Sequence, residues 1–186
     1  MLTLAKTGPF SDCICPNPER PPMQKTHNTL SEEIRVQSVE LLNLHLAAAI
    51  DLHAQMKQAH WNVRGPGFIA IHELFDRVST EVENFSDLLA ERAAGLGGTA
   101  DGTIQEAVKS SFLVRYPLGV ADEMKHLFAV AAALAAFGGS VIEAIAKCTD
   151  IEDPTTADLF TEISRGIDQQ LYFVESHFSP KAAKLA

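Results

Sequence analysis

The chain has 186 residues, 46% of them hydrophobic, and a formal net charge of −9. This length suits a single domain with a full hydrophobic core, and the composition excludes an intrinsically disordered chain. The acidic balance argues against a folded nucleic-acid-binding domain, because phosphate groups repel such a surface, and it favours a cation as the partner.

Residues 1–28 are predicted to form a flexible tail, because they contain five prolines and no apolar periodicity. The first 30 residues carry a net charge of +1, which leaves −10 on the rest of the chain. Cys13 and Cys15 offer a soft-metal site together with His27, but three ligands in a tail are a weak signal, and reduced thiols are favoured. Without a secretory signal or an uninterrupted run of 18 apolar residues, the sequence predicts a cytoplasmic protein that spans no membrane.

Four long helices and one short helix are predicted between residues 29 and 178. Capping patterns begin them, at Thr29–Glu32 and at Asp153 for example, and glycine or proline ends them. Their approximate spans are 31–63, 68–96, 103–110, 118–147 and 154–178. This order predicts an all-α, ferritin-like four-helix bundle, with the short helix in the long connection between helices two and three. Residues 179–186 are predicted to form a short C-terminal tail.

A polar stripe follows one face of the second predicted helix. Its members are His72, Asp76, Glu83, Asp87 and Glu91. They fall within about 100° of the helix circumference, and apolar residues occupy much of the remainder. Any one of these residues alone is typical of a solvated helix face, but the whole set indicates an interface. Imidazole and carboxylate ligands favour first-row metals such as Fe(II), Mn or Zn.

The stripe is too long for one metal ion. The pair His72 and Asp76 and the pair Asp87 and Glu91 lie about 22 Å apart along the helix axis. Two copies of the helix, antiparallel across a twofold axis, would bring the first pair of one chain to the second pair of the other. The spacing therefore predicts two equivalent sites in a dimer and none in a single chain.

A helical hairpin would add the end of the first helix to this site. His60 lies before the Gly65-Pro66-Gly67 turn, so the hairpin brings it beside His72. Trp61 follows it directly. The sequence supports two roles for Trp61 equally: an oxidisable ring that shields the site, and packing at the interface.

Three motifs in this order resemble the signature of the Dps family, the DNA-protection-during-starvation mini-ferritins of the ferritin-like superfamily. They are Lys57-Gln-Ala-His60-Trp61-Asn-Val-Arg-Gly65, His72-Glu-Leu-Phe-Asp76 and Asp87-Leu-Leu-Ala-Glu91-Arg92. The resemblance covers roughly residues 30–178. It implies a ferroxidase centre shared between subunits, with His60, His72 and Asp76 from one chain and Asp87 and Glu91 from its twofold mate.

The resemblance also implies an activity and an assembly. Members of the family form hollow dodecamers, oxidise Fe(II), usually with hydrogen peroxide in preference to oxygen, and store ferric oxide, which protects the cell from oxidative damage. Zinc or another divalent metal is an alternative occupant of the same site. Asp153, Asp158 and Glu162, at the start of the fourth helix, match the acidic lining of the family's cation pores. Alternatively, these three are ordinary acidic residues that complement the helix dipole at the N-terminus of the helix.

Other readings remain open at this point. DNA binding is doubtful, because the tails carry few lysines and arginines. A conventional di-iron site within the bundle needs Glu-x-x-His on two helices, and only Glu123-Met-Lys-His126 fits, so these two are predicted to be surface or interface residues. A non-catalytic DNA-binding or structural cage is the further alternative. The remaining histidines, His45, His53, His126 and His177, are predicted to be hydrogen-bonded or exposed rather than ligands.

Overall fold

A computed structural model of the chain describes residues 22–178, and its regular structure there is entirely helical. The helices are α1 (Glu32–Asn62), α2 (Phe68–Gly95), α3 (Ile104–Ser110), α4 (Glu123–Asp150) and α5 (Pro154–Glu175). This order confirms the predicted bundle with a short helix between its second and third long helices. Cys13, Cys15 and the residues after 178 lie outside the described part of the chain.

Four of the five described helices begin where a side chain accepts a hydrogen bond from a backbone N–H three residues further on, and α2, which begins after Gly67, is the exception. The capping residues are Ser31, Thr103, Asp122 and Asp153. Two predicted starts need correction. The cap of α1 is Ser31 rather than Thr29, and α4 begins at Glu123 rather than near Leu118, because a turn with Gly119 at φ 76° precedes the Asp122 cap.

Two helical hairpins make up the bundle. α1 packs on α2 across the short connection 63–67, and α4 packs on α5, while contacts of α1 with α4 and of α2 with α5 join the hairpins. The largest fully buried side chains are apolar: Phe75, Phe137, Phe160, Leu42, Leu52, Met56, Leu89, Leu96, Leu127, Leu134, Ile163 and Ile167. α3 packs on α1 and leaves Ile104 and Val108 exposed. The core thus holds the α1–α2 hairpin, which carries the predicted ligands, in a fixed frame.

Within residues 22–178, one helix is apolar enough, by length and composition, to cross a membrane. The most apolar window of α4 has a mean hydropathy of 1.9 over 18 residues. The prediction that no helix spans a membrane was based on the lack of an uninterrupted run of 18 apolar residues. The scattered small and polar residues of α4 interrupt such a run but still leave the mean hydropathy of the helix high. In the fold α4 packs against α5 and α1 and places Leu134 and Phe137 in the core, as a bundle helix does.

A buried polar network ties α2 to the start of α5. The Asp153 side chain is 0% exposed and pairs with Arg92, with Nη2 and Oδ1 3.1 Å apart. It also accepts hydrogen bonds from the Ser38 hydroxyl, at 2.7 Å, and from the backbone and hydroxyl of Thr156. Asp153 therefore cannot line a pore, and its predicted role there is corrected: the carboxylate caps α5 and balances Arg92.

This network sets the charge state of Asp153. Burial would raise the pKa of the carboxyl group, but the hydrogen bonds from Thr156 and Ser38 and the charge of Arg92 outweigh it and hold the pKa below its ordinary value. A carboxyl group with a lowered folded-state pKa stabilises the fold above its unfolded-state pKa. The stabilisation is lost as the pH falls through the lower, folded-state value.

Replacing Asp153 by Asn tests the network. We expect Asp153→Asn to lower the free energy of unfolding by about 3 kcal/mol at pH 7, because Arg92 then lacks its buried partner. The difference from the wild-type chain should begin to shrink below about pH 4, where the carboxyl group of the unfolded chain becomes protonated, and should be lost as the pH falls through the lower folded-state pKa. Urea unfolding at several pH values measures both effects. A difference that is constant between pH 7 and pH 3 would contradict the assignment, and the double variant Arg92→Ala/Asp153→Asn should lose less than the sum of the single losses.

Candidate metal centre

His60 and His72 meet at the α1–α2 turn. Their rings stack with centroids 3.6 Å apart and planes 21° from parallel. His60 Nδ1 lies 2.9 Å from the carbonyl oxygen of His72, and His72 Nδ1 lies 2.8 Å from the carbonyl oxygen of His60. The predicted meeting of the two residues across the hairpin is therefore confirmed.

The carbonyl partners decide the protonation of both rings. A carbonyl oxygen only accepts hydrogen bonds, so each Nδ1 must carry the proton and donate it. In the neutral imidazole the lone pair then remains on Nε2, which is the form a metal ligand needs. Each ring is thus oriented as a ligand by a backbone group of the opposite helix.

Asp76 lies one turn beyond His72 and already has a cationic partner. Lys57 Nζ lies 2.6 Å from Asp76 Oδ1, and His60 Nδ1 lies 3.9 Å from the same oxygen. The hydrogen bond from Lys57 is the main cause of the lowered pKa of Asp76, so this carboxylate is ionised at neutral pH. A metal ion at Asp76 would have to share the carboxylate with Lys57 or displace it. Nothing in the local sequence predicts this role of Lys57, since only the hairpin brings it to Asp76.

The second half of the stripe lies apart from the histidines. Glu83, Asp87 and Glu91 are all exposed, and Glu83 and Asp87 face a groove that α1 and the residues before α3 also line. Within residues 22–178, no three His, Cys, Asp or Glu side chains are arranged to hold a metal ion. In a single chain His60 contacts His72 and lies near Asp76, but these three are not arranged to hold a metal ion, and Asp87 and Glu91 lie further along α2.

Large apolar side chains are exposed on α1 and α3. Trp61 is 62% exposed, with Lys57 Nζ 6.0 Å from its ring centroid, and Val108 on α3 is 81% exposed. Exposed apolar side chains of this size rimmed by polar residues are typical of protein–protein contacts. At the start of α5, Asp158 and Glu162 are exposed, in contrast to Asp153.

Both residues of the Glu123-x-x-His126 motif make structural hydrogen bonds. His126 is buried, which corrects the predicted surface position, and its Nδ1 lies 2.7 Å from the Tyr116 hydroxyl. Its Nε2 lies 3.0 Å from the Val120 carbonyl oxygen, so both ring nitrogens are engaged. Burial lowers the pKa of His126 and raises that of Tyr116, so both are neutral. Glu123 accepts a hydrogen bond from the Gly67 backbone N–H instead of facing a ligand.

The other histidines fit their predicted roles. His45 is buried between the Leu41 carbonyl and the Ser140 hydroxyl, and His53 contacts Ser79. His177 is exposed near the end of the described chain. None of the three adds a ligand to the site at the hairpin.

A model of the ferritin-like domain family matches residues 39–180. The DNA protection during starvation protein of Agrobacterium fabrum is 40% identical over 158 residues, which are 85% of this chain and 98% of that protein. The chain belongs to the Dps family.

Solved structures of the family agree with this assignment. DpsA14 from Streptomyces coelicolor has a TM-score of 0.80 and 34% identity, covering 86% of this chain and 95% of that one. Mycobacterium smegmatis Dps has a TM-score of 0.80 and 29% identity, covering 86% and 98%. The Dps fold thus accounts for nearly all the described helices of this chain.

Removing Lys57 tests its competition for Asp76. We expect Lys57→Ala to bind Zn(II) about two- to fivefold more tightly than the wild-type chain, because a half-exposed ion pair no longer has to be broken. Anaerobic titration calorimetry on the assembled protein measures the affinity. The matched control is Lys57→Arg, which keeps the charge and should stay close to wild type. Weaker binding by Lys57→Ala would show that Lys57 supports the site.

Proposed function

We propose that this Dps-family chain is a ferroxidase and iron-storage protein that oxidises Fe(II), with hydrogen peroxide as the preferred oxidant. The observation that carries the proposal is the pair of imidazoles at the α1–α2 turn. Both donate from Nδ1 to backbone carbonyl groups, which leaves each Nε2 lone pair available to a metal, and the ionised Asp76 lies 3.9 Å from His60 Nδ1. This set of nitrogen and carboxylate ligands suits Fe(II), and Zn(II) would compete for it.

The centre is proposed to be completed by a second copy of the chain. Asp87 and Glu91 lie too far along α2 to join His60 and His72 within one chain, by about 22 Å along the axis. The exposed groove beside Asp87, which Leu46 and Ile50 also line, supports a twofold partner at this face. The proposed assembly built from these dimers is a hollow dodecamer in the cytoplasm, as in the rest of the family.

In the reaction, iron and peroxide are substrates. Two Fe(II) ions each lose one electron, and hydrogen peroxide takes both electrons and two protons to give two water molecules. Asp76, with Asp87 and Glu91 of the partner subunit, would balance the growing positive charge as iron is oxidised. Reducing peroxide by two electrons at once avoids releasing hydroxyl radical. Trp61, exposed beside His60, is proposed to meet oxidising species or the partner subunit.

Iron must also enter and leave the centre. Asp158 and Glu162 share one exposed face of α5, and rings of such acids would concentrate cations at a pore. Asp153 is left out of this set, since its carboxylate is buried against Arg92. Glu83, exposed on the stripe of α2, is proposed as an inner-wall contact for the oxidised product.

A mixing experiment tests whether the centre is shared between chains. One variant, His60→Ala/His72→Ala, loses the histidine half-site, and another, Asp87→Ala/Glu91→Ala, loses the carboxylate half-site. Each alone should be nearly inactive in peroxide-dependent Fe(II) oxidation. Co-expressed at equal levels, they should recover about one quarter of wild-type activity, because half of randomly formed dimers are mixed and each mixed dimer has one intact centre.

The outcome separates the possible arrangements. A centre contained in one chain would give no recovery on mixing, since every chain would carry a broken site. Stopped-flow absorbance of the ferric product after peroxide addition measures the rate. Size-exclusion chromatography of both variants serves as the control that assembly is intact.

DNA binding is expected to be weak. The folded part of the chain is strongly acidic and the first 30 residues carry a net charge of only +1. Few counterions would be released on binding, so we expect no mobility shift of plasmid DNA at about 0.15 M salt. A clear shift at that salt concentration would contradict this expectation and would favour the DNA-binding cage as the alternative function.

A further inference from the structure

The N-terminus of α2 lacks a cap of its own. Its N-cap residue is Gly67, which has no side chain, and the first turn of α2 contains no acidic residue. The backbone N–H groups at a helix start need acceptors, and the positive end of the helix dipole favours an anion there. Since α2 carries His72 and Asp76 in its first turns, the way this end is fixed bears directly on the proposed centre.

Glu123 supplies the missing anion from another helix. Its Oε2 accepts a hydrogen bond from the Gly67 backbone N–H at 2.9 Å. In a capping box the same contact is made by a residue of the helix itself, three positions after the cap. Here the acceptor comes from the first residue of α4, 56 positions further along the chain.

The Glu123 carboxylate packs closely against the turn because residues 65 and 67 are glycines without side chains. A Cβ atom on Gly65 would collide with the Glu123 carboxylate, and one on Gly67 would come within 3.3 Å of Oε2. The adjacent backbone is tied to α4 as well, since the Arg64 N–H donates to the Ala121 carbonyl at 2.7 Å. The turn between the two histidine-bearing helices is therefore clamped to the start of α4.

This clamp lies between the two histidines in the chain. His60 precedes the turn and His72 follows it, and their reciprocal hydrogen bonds require both carbonyl groups at 2.8 to 2.9 Å from the opposite ring. Both bonds depend on the angle and register at which α2 leaves the turn. A contact that fixes the angle and register of α2 at the turn therefore also fixes the direction of both Nε2 lone pairs.

We propose that Glu123 is a positioning residue of the ferroxidase centre. It caps the N-terminus of α2 from another helix, sets the angle and register at which α2 leaves the turn, and thereby orients His60 and His72. The inference rests on the proposed function for its consequence in iron chemistry. It also explains the isolated Glu-x-x-His motif without a second metal site. Glu123 touches no substrate in this role.

Glu123→Ala and Glu123→Gln test the proposal in the full-length assembled protein, with Co(II) as a redox-stable probe. We expect Glu123→Ala to bind Co(II) about tenfold more weakly and with an altered visible absorption spectrum, because the histidine ligands lose their orientation. Glu123→Gln keeps an acceptor for the Gly67 N–H and should stay within about twofold of wild type. The matched control is Glu143→Ala, which removes an exposed acid from the same helix.

Iron oxidation provides a second readout. Glu123→Ala should raise the KM for Fe(II) more than it lowers kcat, since the loss is in ligand placement rather than in peroxide chemistry. A purely structural role would lower the melting temperature while leaving Co(II) affinity, spectrum and KM unchanged. That result would overturn the inference, as would loss of Co(II) binding in Glu123→Gln equal to that in Glu123→Ala.

The failure of the proposed function gives a different pattern. If the wild-type chain and His60→Ala/His72→Ala bind Co(II) alike, the histidines do not form a metal site and both proposals fall. If the double variant loses Co(II) while Glu123→Ala binds as wild type does, the metal centre stands and only the role of Glu123 is refuted.

Discussion

The close approach of α1 and α2 at their connecting turn is the constraint on which the candidate centre depends. Two stacked imidazoles fill the space between the helices, and each ring bonds the backbone of the opposite helix. These contacts are satisfied only in one register of the hairpin. The bundle core, the Arg92–Asp153 network at the far end of α2 and the clamp at Glu123 all hold that register. The chemistry at one end of α2 is thus supported by packing along its whole length.

Charge is arranged differently at the two halves of the stripe. Asp76 is balanced by Lys57 within the chain, whereas Asp87 and Glu91 are exposed and have no ion pair among the described residues. In the proposed dimer, the part of the stripe that contains Lys57 would meet a part that supplies only negative charge. Asp87 and Glu91 therefore add negative charge that no ion pair among the described residues balances, and such charge would favour a cation in the proposed dimer.

The sequence predicted the fold and the proximity of His60 to His72, because helix periodicity, caps and the Gly65-Pro66-Gly67 break are local signals. It did not predict the partners that come from distant elements. Lys57 reaches Asp76 only across the hairpin, and Glu123 reaches Gly67 only after α4 has docked. Asp153 was correctly predicted to be a helix N-cap, but its predicted pore role is wrong, because nothing in its local sequence reveals that Arg92 and Ser38 enclose it. Polar side chains whose hydrogen-bond or ion-pair partners come from distant helices produce no periodic pattern in the sequence.

The partners of the two imidazoles also affect how the site tolerates mutation. In many metal sites the orienting group is a carboxylate side chain, which a single substitution can remove. Here both orienting groups are backbone carbonyls, and every residue type at positions 60 and 72 retains them. Replacing one histidine leaves the acceptor for the other in place, although the stacking contact is lost. The acceptors for both rings are thereby supplied by the hairpin backbone, and they move only if the turn itself is displaced, which is the change that loss of the Glu123 contact would cause.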